Sequence, residues 1–140
     1  SLTDIEIADA CQTAKEVAQR HMIFPINLNK IIFGPPNKIP PKIIWAEGEK
    51  SKELSDLRSD LQKALLEKVN FRPEERGFAP HITLARISEW EFRKIEPEER
   101  PEINESIDLQ FTAESIEVME SEIKRGGPQY VVLESHTLNN

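Results

Sequence analysis

The stretch Gly77-Phe78-Ala79-Pro80-His81-Ile82-Thr83-Leu84-Ala85-Arg86 decides how this sequence is read. Side chains two apart on a strand point the same way, so His81 and Thr83 share one face while Ile82 and Leu84 enter the opposite, apolar one. An imidazole that titrates near neutral pH can move a proton, and a neighbouring hydroxyl can donate to a phosphoryl oxygen, a pairing that suits attack at phosphorus. In isolation the tetrapeptide is weak, since in a chain with three histidines an H-x-T arises readily by chance, as a strand histidine bonded to a nearby threonine. Strict alternation puts Arg86 on the face opposite His81, so a bulge or the strand end would have to redirect it to any site there.

Upstream, Thr3-Asp4-Ile5-Glu6 fits a capping box and starts a helix whose apolar stripe, Ile7, Cys11, Ala14, Val17 and Ala18, runs to about Arg20. The β-branched run Ile26 to Phe33 reads as a strand stopped by Gly34-Pro35-Pro36, and Ile43 to Ala46 as a second, able to pair with the first as an antiparallel hairpin. Ser51 offers an N-cap to the clearest amphipathic helix, with Leu54, Leu57, Leu61, Leu65 and Val69 on one stripe and an end near Asn70. A third strand is expected from Phe78 to Ile87 and a short helix around Glu89 to Lys94. One long or broken strand covers Ser106 to Met119, and Gly126-Gly127-Pro128 turns into a closing strand from Tyr130 to Leu133, with Tyr130 in the core. This order gives an α+β fold with helices on one face of a mainly antiparallel sheet.

Hydrophobic residues make up 38% and charged residues 31%, too apolar for a wholly disordered chain. The apolar runs are far too short for a membrane span and no basic leader precedes one, so a cytoplasmic protein is expected. The net charge of −7 opposes binding along a duplex, which needs a surplus of Lys and Arg, yet leaves room for one phosphate or one RNA end held by a few local groups. The single cysteine, Cys11, cannot form an internal disulfide and fits a buried helix position.

The quoted stretch is joined by Ile43-Ile44-Trp45-Ala46 ahead of the leucine-rich helix. Glu120-Ser121-Glu122 and Gly126-Gly127-Pro128-x-Tyr130 follow near the end. In content and order these blocks resemble the bacterial 2'-5' RNA ligase family, better described as RNA 2',3'-cyclic phosphodiesterases, among the two-histidine phosphoesterases. The resemblance implies one domain over residues 1–140, with a bilobal two-layer fold, helices on the outer face, and one H-x-T-x strand from each half lining a shared cleft. It implies that His81 accepts the proton of the water attacking a 2',3'-cyclic phosphate, that Thr83 holds a phosphoryl oxygen, and that a second histidine protonates the leaving ribose oxygen. A 2'-phosphate results, with no metal or other cofactor required, and the resemblance also implies a reversible 2'-5' RNA ligation. Arg86 matches the arginine after the family's second motif and could contact phosphate or base, or form a structural salt bridge; Phe78 could stack on a base or pack in the core.

Neither His21-Met22-Ile23-Phe24 nor His136-Thr137-Leu138-Asn139 supplies a second H-x-T-x. His21 is expected to end the first helix and His136 to lie in a polar tail. The resemblance places the first motif just upstream of a helix such as Thr3 to Arg20, so the chain is expected to begin after it. The edge left open would then be a site of self-association, through another chain or a domain swap. Two other readings stand beside the phosphodiesterase: a module that binds a nucleotide or RNA end without turnover, and a fragment that works only with its missing half.

Overall fold

A computed structural model describes residues 1–74 and 78–140. Gly77, the first residue of the quoted stretch, lies outside the described residues. The architecture is α+β with antiparallel sheets, in the order α1 (Asp4–Ala18), β1 (Phe24–Gly34), β2 (Ile43–Glu47), α2 (Lys52–Leu66), β3 (His81–Arg86), α3 (Glu89–Arg93), β4 (Asn104–Ala113), β5 (Ser115–Lys124) and β6 (Gly127–Thr137), with a 3-10 turn at Pro97–Glu99. Two compact units divide the chain: α1, α2, β5 and β6 form one, and β1, β2, β3, α3 and most of β4 the other. Among the described residues no helix is long and apolar enough to cross a membrane.

In the first unit the capping box closes as the sequence predicts. The Glu6 amide donates to the Thr3 hydroxyl at 3.2 Å, and the Thr3 amide donates back to the Glu6 carboxylate at 2.8 Å. Cys11, Ala14, Val17 and Ala18 are buried on the apolar stripe, Val17 with no exposed surface. Burial pushes the Cys11 thiol above its ordinary range, and the Glu134 carboxylate beside it adds to that, so the side chain stays a protonated core group. Helix α2 starts at the Ser51 cap but stops at Leu66, short of Asn70; Val69 still reaches the core from the turn beyond.

Past the end of α1, Asp60 of α2 accepts from the Arg20 guanidinium at 2.7 Å and bonds His21 Nε2 at 2.7 Å. The Arg20 hydrogen bonds hold the Asp60 carboxyl below the usual carboxylate range, His21 adding and partial burial opposing. A carboxyl whose pKa is lower folded than unfolded stabilises the fold above its unfolded value, near 4, and loses that contribution as pH falls through the folded value. Asp60→Ala is therefore expected to cost about 0.5–1 kcal/mol at neutral pH, the cluster being partly exposed. Urea melts of both proteins should show that difference at pH 7 and progressively less of it as the pH falls below about 4. A difference that persists in acid would contradict the assignment.

The sheet of this unit is the β5–β6 pair, broken in register between Val118 and Met119: Val118 faces Glu134, Met119 faces Val132, and Leu133 is the extra residue. Here the sequence reading needs two corrections. His136 belongs to β6, not to a polar tail: it pairs with Ile116 and its Nε2 lies 2.8 Å from Glu134. Tyr130 is 57% exposed, not core: it lies close to the β5–β6 turn, where Val131 on the opposite face is exposed as well, and beyond the extra residue it faces away from the side that carries Glu134 and His136 beside α1. The strand expected over Ser106 to Met119 is two strands, broken at Glu114.

The second unit is a four-stranded sheet in the order β3-β2-β1-β4. The hairpin expected from the sequence is present, with Lys30 opposite Glu47, Ile32 opposite Trp45 and Gly34 opposite Ile43. Helix α3 covers one face, its Phe92 ring meeting Phe33 edge-on at 6.3 Å. Phe33 alternates with Ile32, so the row carrying Trp45 faces the other way. At the edge, β3 is shorter than expected because Pro80, which has no N–H to give a ladder, precedes its first residue.

Candidate active site

His81 opens β3 opposite Glu47, and Thr83 lies opposite Trp45. Residues directly opposite on antiparallel strands project from the same side, so Lys30, Glu47 and His81 form one row across three strands and Ile32, Trp45 and Thr83 the next. The histidine and threonine thus share a face, as their spacing predicts, and α3 lies behind the sheet. Every residue of β3 is exposed. Lys30 Nζ and Glu47 are ion-paired at 3.1 Å, which matches the buried carboxylate beside His81 with a cation.

Between Ile44 and Trp45 the register slips by one: Trp45 faces Thr83 and Ile44 faces Ala85, leaving Leu84 as the extra residue. Arg86 then lies opposite Ile43, and Ile43, Trp45 and Glu47 alternate onto one face. The bulge therefore returns Arg86 to the face of His81 and Thr83, where uninterrupted alternation would have excluded it. Arg86 is exposed and has no ion pair among the described residues. Phe78 is half-buried three residues before His81.

The imidazole is fixed through Nδ1, which lies 2.9 Å from the Ala79 carbonyl oxygen. A carbonyl only accepts, so Nδ1 carries the proton and, in the neutral ring, Nε2 keeps its lone pair. The preceding residue is held in turn, the Gly48 amide donating to the Pro80 carbonyl at 3.0 Å. The other two histidines are tied to carboxylates, His21 to Asp60 and His136 to Glu134. Among the described residues no three His, Cys, Asp or Glu side chains are grouped to hold a metal.

In the sequence Trp45 stands out only as part of a strand and of a block that resembles the family, with no role at a site. The structure stacks its indole against the His81 ring, with centroids 4.1 Å apart and planes at 35°. Pairing the two strands on paper in the bulged register would have brought these rings together, but nothing in the sequence marks that register.

The family model of the 2'-5' RNA ligase superfamily matches residues 1–125. The chain belongs to that superfamily. Two relatives, both called RNA 2',3'-cyclic phosphodiesterase, are similar over part of the chain. The protein of Geobacillus stearothermophilus is 33% identical over 82 residues, 58% of this chain and 25% of the relative. That of Bacillus subtilis (strain 168) is 38% identical over 72 residues, 51% of this chain and 38% of the relative. These matches therefore span well under half of either relative. Among solved structures, TT0787 of Thermus thermophilus superposes with a TM-score of 0.76 at 25% identity, covering 99% of this chain and 73% of that one. LigT of E. coli, solved with 3'-AMP, shares the fold at a TM-score of 0.64 and 19% identity, over 95% of this chain and 71% of that one.

Proposed function

We propose that this chain supplies the proton-accepting half of an RNA 2',3'-cyclic phosphodiesterase. The observation that carries the reading is the Nδ1 hydrogen bond to Ala79, which leaves Nε2 of an exposed His81 as a base. Nε2 takes a proton from water as the water oxygen bonds to phosphorus and the bond from phosphorus to the ribose 3' oxygen breaks. The 3' oxygen takes up a proton and a 2'-phosphate remains; ligation to a 2'-5' bond follows the same path with the 5' hydroxyl of a second RNA end attacking phosphorus in place of water. The Thr83 hydroxyl donates to a non-bridging oxygen, where charge grows in the transition state. Arg86, brought round by the bulge, pairs with the phosphate. Phe78 offers its exposed part to the terminal base. The proton for the leaving oxygen comes from a second histidine outside these 140 residues, upstream or on another chain, because His21 and His136 lack the motif and are held by Asp60 and Glu134.

Arg86→Ala tests the reading at substrate binding. The loss of one charge-assisted contact should raise KM for an RNA with a 2',3'-cyclic phosphate end about tenfold, with a smaller change in kcat. An unchanged KM would remove Arg86 from the site. A second reading, binding of a nucleotide or RNA end without turnover, is favoured by the single H-x-T-x of the chain. Saturable binding of a 2'-phosphorylated nucleotide with no hydrolysis in any longer form of the protein would select it.

A further inference from the structure

We infer that Trp45 is a positioning residue for His81, holding the imidazole in the one orientation that keeps Nδ1–H on the Ala79 carbonyl and Nε2 free. The inference rests on the reading of His81 as the proton acceptor. His81 lies opposite Glu47, and Trp45 is the diagonal neighbour two residues along β2. Diagonal neighbours are within reach of aromatic side chains, and here the rings meet with centroids 4.1 Å apart. An exposed histidine on an edge strand has a broad, roughly two-fold χ2 torsion. A half-turn of the ring would carry Nδ1 away from Ala79, and that rotation must sweep the ring edge through the space the indole fills.

Two further observations bear on the tryptophan itself. The indole lies over the backbone of Gly34 on β1, where an added Cβ would come 2.3 Å from Cδ2 and 2.4 Å from Cε2, so only glycine leaves room for the ring. Three adjacent strands thus define its place: β1 beneath it, β2 carrying it and β3 presenting His81. In addition, Nε1 is buried with no hydrogen-bond partner among the described residues, an arrangement that costs stability. No polar contact among those residues orients this indole; what it contributes is ring faces, one of them against His81.

The test is the nitrogen-15 spectrum of the histidine side chains in the chain as it stands, at a pH where they are neutral. In the parent protein His81 should show the Nδ1–H tautomer. Trp45→Leu keeps an apolar side chain in the core and removes the flat ring: the His81 signals should move to a mixture of tautomers, with His21 and His136 unchanged, while Trp45→Phe restores the parent pattern. If Trp45→Leu does not fold, Gly34→Ala displaces the indole without removing it and should shift His81 in the same direction. A His81 tautomer unmoved in whichever of these variants folds would overturn the proposal. In protein that turns over, Trp45→Leu should lower kcat about tenfold with little change in KM. Hydrolysis that survives His81→Ala would sink the catalytic reading but leave the tautomer result standing, so the two failures are distinct.

Discussion

Replacing His81 with alanine is expected to lower kcat/KM for an RNA ending in a 2',3'-cyclic phosphate by about 10²–10⁴-fold, the usual contribution of a positioned general base. The reason is local. His81 is exposed at the start of β3, its Nδ1 is committed to the Ala79 carbonyl, and its Nε2 shares a face with Thr83 and Arg86. The carboxylate opposite it in register, Glu47, is poorly suited to take over, being buried and neutralised by Lys30 at 3.1 Å. The variant should fold normally, because an exposed edge position contributes little to the core. Steady-state rates on a defined oligonucleotide check this, with circular dichroism to verify the fold. A loss of less than about tenfold would mean that another group takes the proton.

Gly48→Ala should be nearly as damaging, by another route. An added Cβ would stand 1.8 Å from the Asn27 carbonyl oxygen and 3.2 Å from the Cα of Leu28. Both are backbone atoms of β1, so no side chain can swing aside to make room, and Leu28, 1% exposed, anchors that strand in the core. The Gly48 amide also holds the Pro80 carbonyl, one residue before His81. We expect a loss of about 3 kcal/mol, the upper end for overpacking a tight site. In a chain of this size that corresponds to a fall of about 10 °C in Tm. Thermal melts would check it, and a Tm indistinguishable from that of the parent would show that β1 and the turn after β2 have slack the geometry does not suggest.

The parts of the fold legible in the sequence are those set by local chemistry. Thr3 and Glu6 announced their capping box, Ser51 announced α2, and the alternating and β-branched runs announced the hairpin of β1 and β2. Period-2 alternation also placed His81 and Thr83 on one face. The face of Arg86 was legible only on condition of a bulge, and the exposure of Tyr130 was not legible at all. A single bulge, at Leu84 in one sheet and Leu133 in the other, reverses the parity of every residue beyond it. A bulge is a property of two strands in register, and a pattern read along one strand does not contain it. The same holds for the contact of Trp45 with His81, which exists only once β2 and β3 are paired, and for the need for glycine at 34 and 48, which depends on what lies across the sheet.

The most direct test of His81 as the base is the identity of the product. An RNA ending in a 2',3'-cyclic phosphate is offered to the chain alone, to a longer form of the protein that carries an upstream H-x-T-x segment, and to the His81→Ala version of whichever form is active. The product is resolved by phosphorus NMR into 2'- and 3'-phosphate. The expected result is a 2'-phosphate alone, formed only while His81 is present. A 3'-phosphate, a rate indifferent to His81, or no turnover by either form would contradict it.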